Sequence, residues 1–371
     1  MSTIAINSSL NDRVSAFAKA GQLLQQYLDS QSGDHQDKSD WTTRIEDAVH
    51  QAERLNSWFT ESNLRHALEQ WSLALREDNL KNWLLPYHLD NITPKKVGII
   101  TAGNIPLVGF HDVLCVILAG HQAMIKTSSN DDVLLPLLLE MAAASLPSLA
   151  NSYAFIKGKL EQYDAVIATG SDNTSRYFEH YFGHVPHIIR KNRNSIAVLD
   201  GSESQEEMKA LSVDVFQYFG LGCRSVSHIK VPRNYNFDQF FNGMYEQRDL
   251  IKNQKYLNNY DYNKAVYLMS EFELLDNEFL LIKEENSSYS SPIASVGYSY
   301  YETLKDVRNE IVANAAQLQC VVAGATTRNF IEEGISGLKA PQLVSYGMTQ
   351  QPALDDYADG VDTLHFLISL S

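Results

Sequence analysis

The chain has 371 residues, a hydrophobic share of 44% and a formal net charge of -15, a profile that fits a globular protein of two or more domains and excludes a disordered chain. The acidic balance disfavours a nucleic-acid partner, because binding phosphodiester backbones draws on clustered Lys and Arg. No run approaches the roughly 20 apolar residues of a membrane span, and the opening MSTIAINSSLNDR has no basic segment followed by an apolar one, so a cytoplasmic location is expected.

Residues 1–90 read as a helical N-terminal region, with apolar positions three and four apart in VSAFAKAGQLLQQYL and in IEDAVHQAERLNSWFTESNLRHALEQWSLAL. The polar stretch SQSGDHQDKSD between them reads as a surface loop. From Lys95 short apolar runs alternate with longer amphipathic segments, the rhythm of βα units. Strands are predicted at KVGIIT, QAMIKT, YAFIKG, DAVIATG, HIIRK and SIAVLD. Helices are predicted through LVGFHDVLCVILAG, from DDVLLPLLLEMAAASLP with Asn130 or Asp131 as its cap, at NTSRYFEHYF, and at SQEEMKALSVDVFQYFG. The expected architecture is α/β, a doubly wound sheet over 91–193 joined by part of 346–371, then a second α/β domain over 194–345. NSSYSSP at 286–292 reads as a loop. The last forty residues, with Gly334, Gly337, Gly347 and Gly360, carry no clear pattern.

Three widely separated cysteines suit neither a disulfide framework nor a zinc knuckle, and no metal site is expected. Cys115 in DVLCVILAG and Cys320 in LQCVVAG sit among branched apolar residues, where a thiol behaves as a small hydrophobe. Cys223 lies in FGLGCRSVSH, where Gly220 and Gly222 allow a sharp turn and the neighbouring Arg224 guanidinium would favour the thiolate. TAGNIP at 101–106 leaves a strand and enters a helix, so the Asn104 amide stands either as an oxyanion donor or as a plain helix cap. Lys126 ends one strand, followed by Ser129, and Thr169-Gly170-Ser171 end another before a helix; such places bind nucleotide phosphates, although no G-x-G-x-x-G is present. His184, His187 and His228 read as structural and receive no role. The basic run Arg190 to Arg193 reads either as a phosphate contact or as a solvated loop.

Taken in order from about residue 95 to about residue 325, these motifs resemble the aldehyde dehydrogenase superfamily. Asn104-Ile105-Pro106 is similar to its Asn-Phe-Pro element, whose amide contributes to the oxyanion hole. Ala119-Gly120 leading to Lys126 is similar to its glycine-then-lysine strand, where the lysine bonds the adenosine ribose. Thr169-Gly170-Ser171 is similar to its turn at the cofactor pyrophosphate, and Cys223 falls at close to the family's usual separation beyond it. The water-activating glutamate of Glu-Leu-Gly-Gly-Lys is missing; Arg190-Lys191-Asn192-Arg193-Asn194, followed by Ser195, stands in its place. The nicotinamide-ribose element Glu-x-Phe-Gly-Pro survives only as SSYSSP ending at Pro292. Ser129 stands where NAD-preferring members carry a glutamate, which leans toward NADPH, with NADH as the alternative.

Within the superfamily these departures resemble the LuxC-type acyl-CoA reductases, whose luminescence members are typically longer; the first 90 and last 40 residues contribute little to the likeness. The resemblance implies that the Cys223 thiolate takes an acyl group from an acyl-CoA or acyl-protein, with Asn104 and the Cys223 N–H holding the oxyanion. NADPH then reduces the thioester to an aldehyde. It further implies a homo-oligomer and an acyl-protein synthetase or thioesterase as partner. Two other readings stay open: an acyl phosphate reductase of the same superfamily, and a catalytically inert scaffold that binds acyl-transfer partners.

Overall fold

The computed structural model describes residues 8–31, 39–335 and 340–370; most of the loop expected at 30–40 and Gly337 lie outside the described residues. The chain divides into two units, Met1–Lys191 with Ala353–Ser371, and Asn192–Pro352.

The first unit begins with four helices, α1 (Leu10–Ser30), α2 (Asp40–Leu55), α3 (Glu61–Ala74) and α4 (Glu77–Leu84). Ser9, Ser39 and Thr60 cap the first three, each side chain accepting a backbone N–H two or three residues into its helix. The sequence pattern runs helical without interruption from Ile45 to Leu75, whereas the structure breaks it at Asn56. There the backbone turns extended, the Asn56 side chain accepts the Trp58 N–H, and Thr60 starts a new helix. Apolar spacing continues across the break, so periodicity alone does not reveal it.

The α/β part follows as β1 (Lys96–Ile100), α5 (Phe110–Leu118), β2 (Gln122–Lys126), α6 (Leu134–Ser145), β3 (Tyr153–Phe155), β4 (Ala165–Thr169), α7 (Asp172–Phe182) and β5 (His187–Arg190). The strands form a parallel sheet in the order β3-β2-β1-β4-β5. Strand order reverses between β1 and β4, and open parallel sheets take ligands at the carboxyl ends beside such a reversal. Every residue of α5 except His111 is buried. Val113 to Leu118 join Phe17, Leu64, Leu68, Ile99 and Leu138 in one apolar cluster, which also takes in Leu364 and Leu367 of the C-terminal helix Thr363–Ile368.

Two expectations fail locally in this unit. The helix expected from residue 107 begins at Phe110, and α6 is capped by neither Asn130 nor Asp131: its N-cap is Val133, with no side-chain cap bond. Asp131 is engaged elsewhere. The basic run is structural as well. Arg190 is buried and grips Asp112 of α5 with two bonds, 2.6 and 3.2 Å, while also donating to the Ala358 carbonyl and the Thr363 hydroxyl. Lys191 pairs with Glu179, and Arg193 donates to the Ala315 and Leu318 carbonyls.

The second unit contains β6 (Asn194–Val198), α8 (Gln205–Phe216), β7 (Val226–Pro232), α9 (Phe237–Met244), α10 (Gln254–Met269), β8 (Leu274–Asp276), β9 (Leu281–Glu284), β10 (Ser295–Tyr301), α11 (Leu304–Ala313), β11 (Leu318–Ala323), α12 (Ala325–Ile335) and β12 (Gln342–Val344). Its sheet runs β12-β11-β6-β7-β10-β9-β8, parallel except for the β8–β9 pair. β11 is buried along its whole length, as a central parallel strand covered on both faces must be.

Candidate active site

In the second unit, α8 stops at Phe216 instead of running to Gly220. Tyr218 and Phe219, both at φ 56°, and Gly220 at φ 74° make three successive left-handed residues. Such backbone costs about 1 kcal/mol or more at each non-glycine residue, and it persists here with both aromatic side chains buried. A tight turn follows, closed by the Ser225 N–H on the Gly222 carbonyl at 3.0 Å, with Cys223 and Arg224 at its centre. Of the three cysteines Cys223 alone is exposed; Cys115 and Cys320 are buried. Burial pushes the Cys115 thiol well up, which keeps it protonated and inert.

The Cys223 turn is held from below by β6. The Ser195 hydroxyl, fully buried, donates to the Cys223 carbonyl at 2.9 Å, accepts the Cys320 N–H at 3.3 Å and shares a hydrogen bond with the Cys320 sulfur at 3.0 Å. Cys320 is therefore more than the inert core thiol its neighbours suggested. Arg224 does not stand loose beside the sulfur: its guanidinium donates to the Gln342 side chain at 2.7 Å and to the Thr349 carbonyl. Ser195, directly after the Arg190–Asn194 run, thus brings its hydroxyl to the Cys223 turn. Ser195→Ala strips a buried partner from three groups. It is expected to destabilise the protein by about 1–3 kcal/mol in denaturant unfolding, and an unchanged midpoint would contradict this role.

The buried His228 bonds the Ser299 hydroxyl at 2.8 Å, and burial pulls its pKa down to about 3, so it stays neutral. His187 bonds the Val185 carbonyl at 2.8 Å.

In the first unit, the remaining candidates gather at the carboxyl ends of three adjacent strands, β2, β1 and β4. Asn104 is exposed in the loop after β1, Lys126 is exposed at the end of β2 with Ser129 exposed beyond it, and Thr169 and Gly170 close β4. The first two loops touch: the Thr101 N–H donates to the Lys126 carbonyl at 3.1 Å, and a Cβ at Gly103 would lie 2.5 Å from the Ser128 hydroxyl. Gly170 is fixed the same way, since a Cβ there would meet Phe178 at 2.9 Å and Thr174 at 3.0 Å. Ser171 caps α7 by accepting the Thr174 N–H. The result is a glycine turn into an eleven-residue helix at the edge where an open sheet takes phosphate.

Two residues that the sequence pattern did not single out for function belong to this edge. Asp131 accepts the Leu107 N–H at 2.8 Å, and burial pushes its carboxyl up to about 7, with Asp132 adding to the effect. Asn56, from the end of α2, donates to the Gly103 carbonyl at 3.4 Å and to the Asn130 carbonyl at 3.3 Å. Nothing in local sequence identifies either, because their partners lie 24 and 47 residues away.

Among known proteins, a sequence model of the family described as acyl-CoA reductase (LuxC) matches residues 5–240. The match takes in the four N-terminal helices, which supplied none of the motifs read above. The long-chain acyl-protein thioester reductase 2 of Photobacterium leiognathi is 27% identical over 301 residues, covering 73% of this chain and 62% of the relative. The chain therefore spans less than two thirds of that relative's length. Among solved structures, aldehyde dehydrogenase 21 from Physcomitrella patens superposes with a TM-score of 0.67 at 11% identity, over 98% of this chain and 85% of the other. An NAD-dependent benzaldehyde dehydrogenase from Corynebacterium glutamicum gives 0.65 at 13% identity, over 95% and 84%. An indole-3-acetaldehyde dehydrogenase solved with NAD+ gives 0.64 at 12% identity, over 91% and 76%. The chain has the aldehyde dehydrogenase fold.

Proposed function

The chain belongs to the acyl-CoA reductase (LuxC) family, and from that membership we propose that it reduces an acyl thioester, carried by CoA or by a protein, to the aldehyde through a thioester on Cys223. The observation that carries the reading is the Cys223 turn itself: an exposed thiol just after three left-handed residues, in a turn whose Cys223 carbonyl is held by the Ser195 hydroxyl, in a chain whose Arg190–Asn194 stretch offers no glutamate like the base of hydrolytic aldehyde dehydrogenases. Without a base for water, a thioester there lasts long enough to be reduced.

In this reading the Cys223 sulfur attacks the acyl carbonyl carbon, and the Asn104 amide and the Cys223 N–H stabilise the oxyanion. The C–S bond to the donor breaks, the donor thiol leaves with a proton, and the acyl group stays on Cys223. A nicotinamide cofactor, when bound, supplies the hydride that reduces this thioester. Collapse of the resulting thiohemiacetal returns the sulfur and releases aldehyde.

The residues at the strand ends fit such a cofactor. The cradle at Gly170 admits no Cβ, the start of α7 offers backbone N–H groups to a pyrophosphate, and Lys126 is exposed for the ribose hydroxyls. NADPH is the proposed form, with NADH second, because the exposed Ser129 places no negative charge where a 2'-phosphate would lie. Ser129→Glu is expected to lower kcat/KM with NADPH by about 10-fold relative to NADH. An unchanged ratio would place 2'-phosphate recognition elsewhere.

Family membership favours a thioester over an acyl phosphate as donor and an active enzyme over a scaffold. Aldehyde formation from acyl-CoAs, butanoyl to hexadecanoyl, with NADPH tests both points; turnover with an acyl phosphate alone, or with no donor, would overturn the reading. An acyl-protein synthetase or thioesterase is the proposed partner. The proposed assembly is a dimer or tetramer, which light scattering would refute by showing a monomer. No described helix is long and apolar enough to cross a membrane.

A further inference from the structure

We infer that Asn56 and Asp131 are positioning residues that hold the Asn104 loop in its working conformation, so that the N-terminal helices take part in catalysis through α2. The inference rests on the oxyanion role proposed for Asn104.

The loop from Thr101 to Leu107 is gripped on both sides of Asn104. One residue before it, the Gly103 carbonyl accepts the Asn56 amide, and the same amide reaches the Asn130 carbonyl, tying the Asn104 loop to the loop that carries Ser129. Three residues after it, the Leu107 N–H donates to Asp131 Oδ2. Leu107 sits in the left-handed region at φ 58°, directly after Pro106, a conformation a non-glycine residue keeps only when its surroundings enforce it.

Both grips are buried, Asn56 at 6% and Asp131 at 7% exposure, while Asn104 between them is exposed. Asp131 also keeps its second oxygen, Oδ1, buried with no hydrogen-bond partner among the described residues. An unpartnered buried carboxyl oxygen is costly. Its retention is accounted for if the other oxygen is needed to fix Leu107. The close approach of Gly103 to Ser128 and Asn130 leaves the loop no room to shift toward its neighbour. The assembly fixes the backbone on both sides of Asn104, as a preorganised oxyanion donor requires.

The test measures acylation of Cys223 by dodecanoyl-CoA and steady-state NADPH-dependent reduction in Asn104→Ala, Asn56→Asp, Asp131→Ala and Asp131→Asn, with each single variant also combined with Asn104→Ala. Asn56→Asp removes the donor to the loops and keeps the acceptor for Trp58, so it is milder than Asn56→Ala. The expected result is a kcat lower by about 10- to 100-fold in Asn56→Asp and Asp131→Ala, with KM changed little. Asp131→Asn, which keeps an acceptor for Leu107, should recover most of the loss. In the Asn104→Ala background the same changes should add almost nothing. Fully additive losses would overturn the positioning role while leaving the Asn104 reading intact. An Asn104→Ala variant with normal acylation would overturn that reading and the inference with it. Hydrogen exchange on the wild type checks the geometry without any variant: Leu107 N–H should be protected, and exchange at the rate of an open loop would overturn the grip.

Discussion

Cys223→Ala is expected to lose aldehyde formation by about 10^4-fold or more, while its melting temperature stays close to that of the wild type. The side chain is exposed and its removal leaves no cavity. Cys115→Ala should behave in the opposite way. Its sulfur is buried among the side chains of α5, so the cost falls on stability, about 1 kcal/mol or somewhat more, with turnover retained. Cys320→Ala should show both effects in part: the lost thiol leaves Ser195 with one partner fewer, and Ser195 holds the Cys223 carbonyl. The measurement is turnover per folded molecule in all three variants. An equal loss in each would remove Cys223 from its proposed role.

Arg190→Met is expected to cost about 3–5 kcal/mol of stability, because Asp112 would be left charged and unpaired inside the first unit. Burial alone would push the Asp112 carboxyl up, but the Arg190 guanidinium outweighs it and holds the group below the usual carboxylate range. The contribution of the pair is therefore present above the ordinary Asp pKa, and it is lost as the pH falls through the folded-state value. The double variant Arg190→Met with Asp112→Leu should regain much of the loss, since two apolar side chains replace a buried ion pair at little cost. Urea unfolding of the three variants decides the matter. A stable Arg190→Met with a raised KM for acyl-CoA or NADPH would return Arg190 to the phosphate-binding role that its sequence neighbourhood also allows.

What the sequence revealed and what it concealed follow from range. The strands and helices from Lys96 to Val198 were legible because buried parallel strands are short apolar runs, and the turns between them carry glycine and small residues at Gly103, Gly120 and Gly170. The exposed turn at Cys223 was legible because its glycine neighbours set it apart from the two core thiols. Asp131 was misread as a helix cap, since an Asx residue just before an apolar helix is the usual sign of one. The true α6 start is the apolar Val133, and the carboxyl serves Leu107 across the sheet edge. Arg190 likewise looks like a surface cation in a basic run, and only the fold brings it to Asp112, 78 residues earlier. The roles of Ser195, Cys320 and Asn56 arise wholly from contacts between distant segments, which no local pattern encodes.

Intact-protein mass spectrometry tests the central claim most directly. Wild type and Cys223→Ala are mixed with acyl-CoAs from butanoyl to hexadecanoyl, and NADPH is then added. The predicted result is a single acyl adduct on the wild type only, which disappears on NADPH addition as aldehyde forms in equal amount. An adduct that persists on Cys223→Ala, or no adduct with any donor, would contradict a thioester on Cys223.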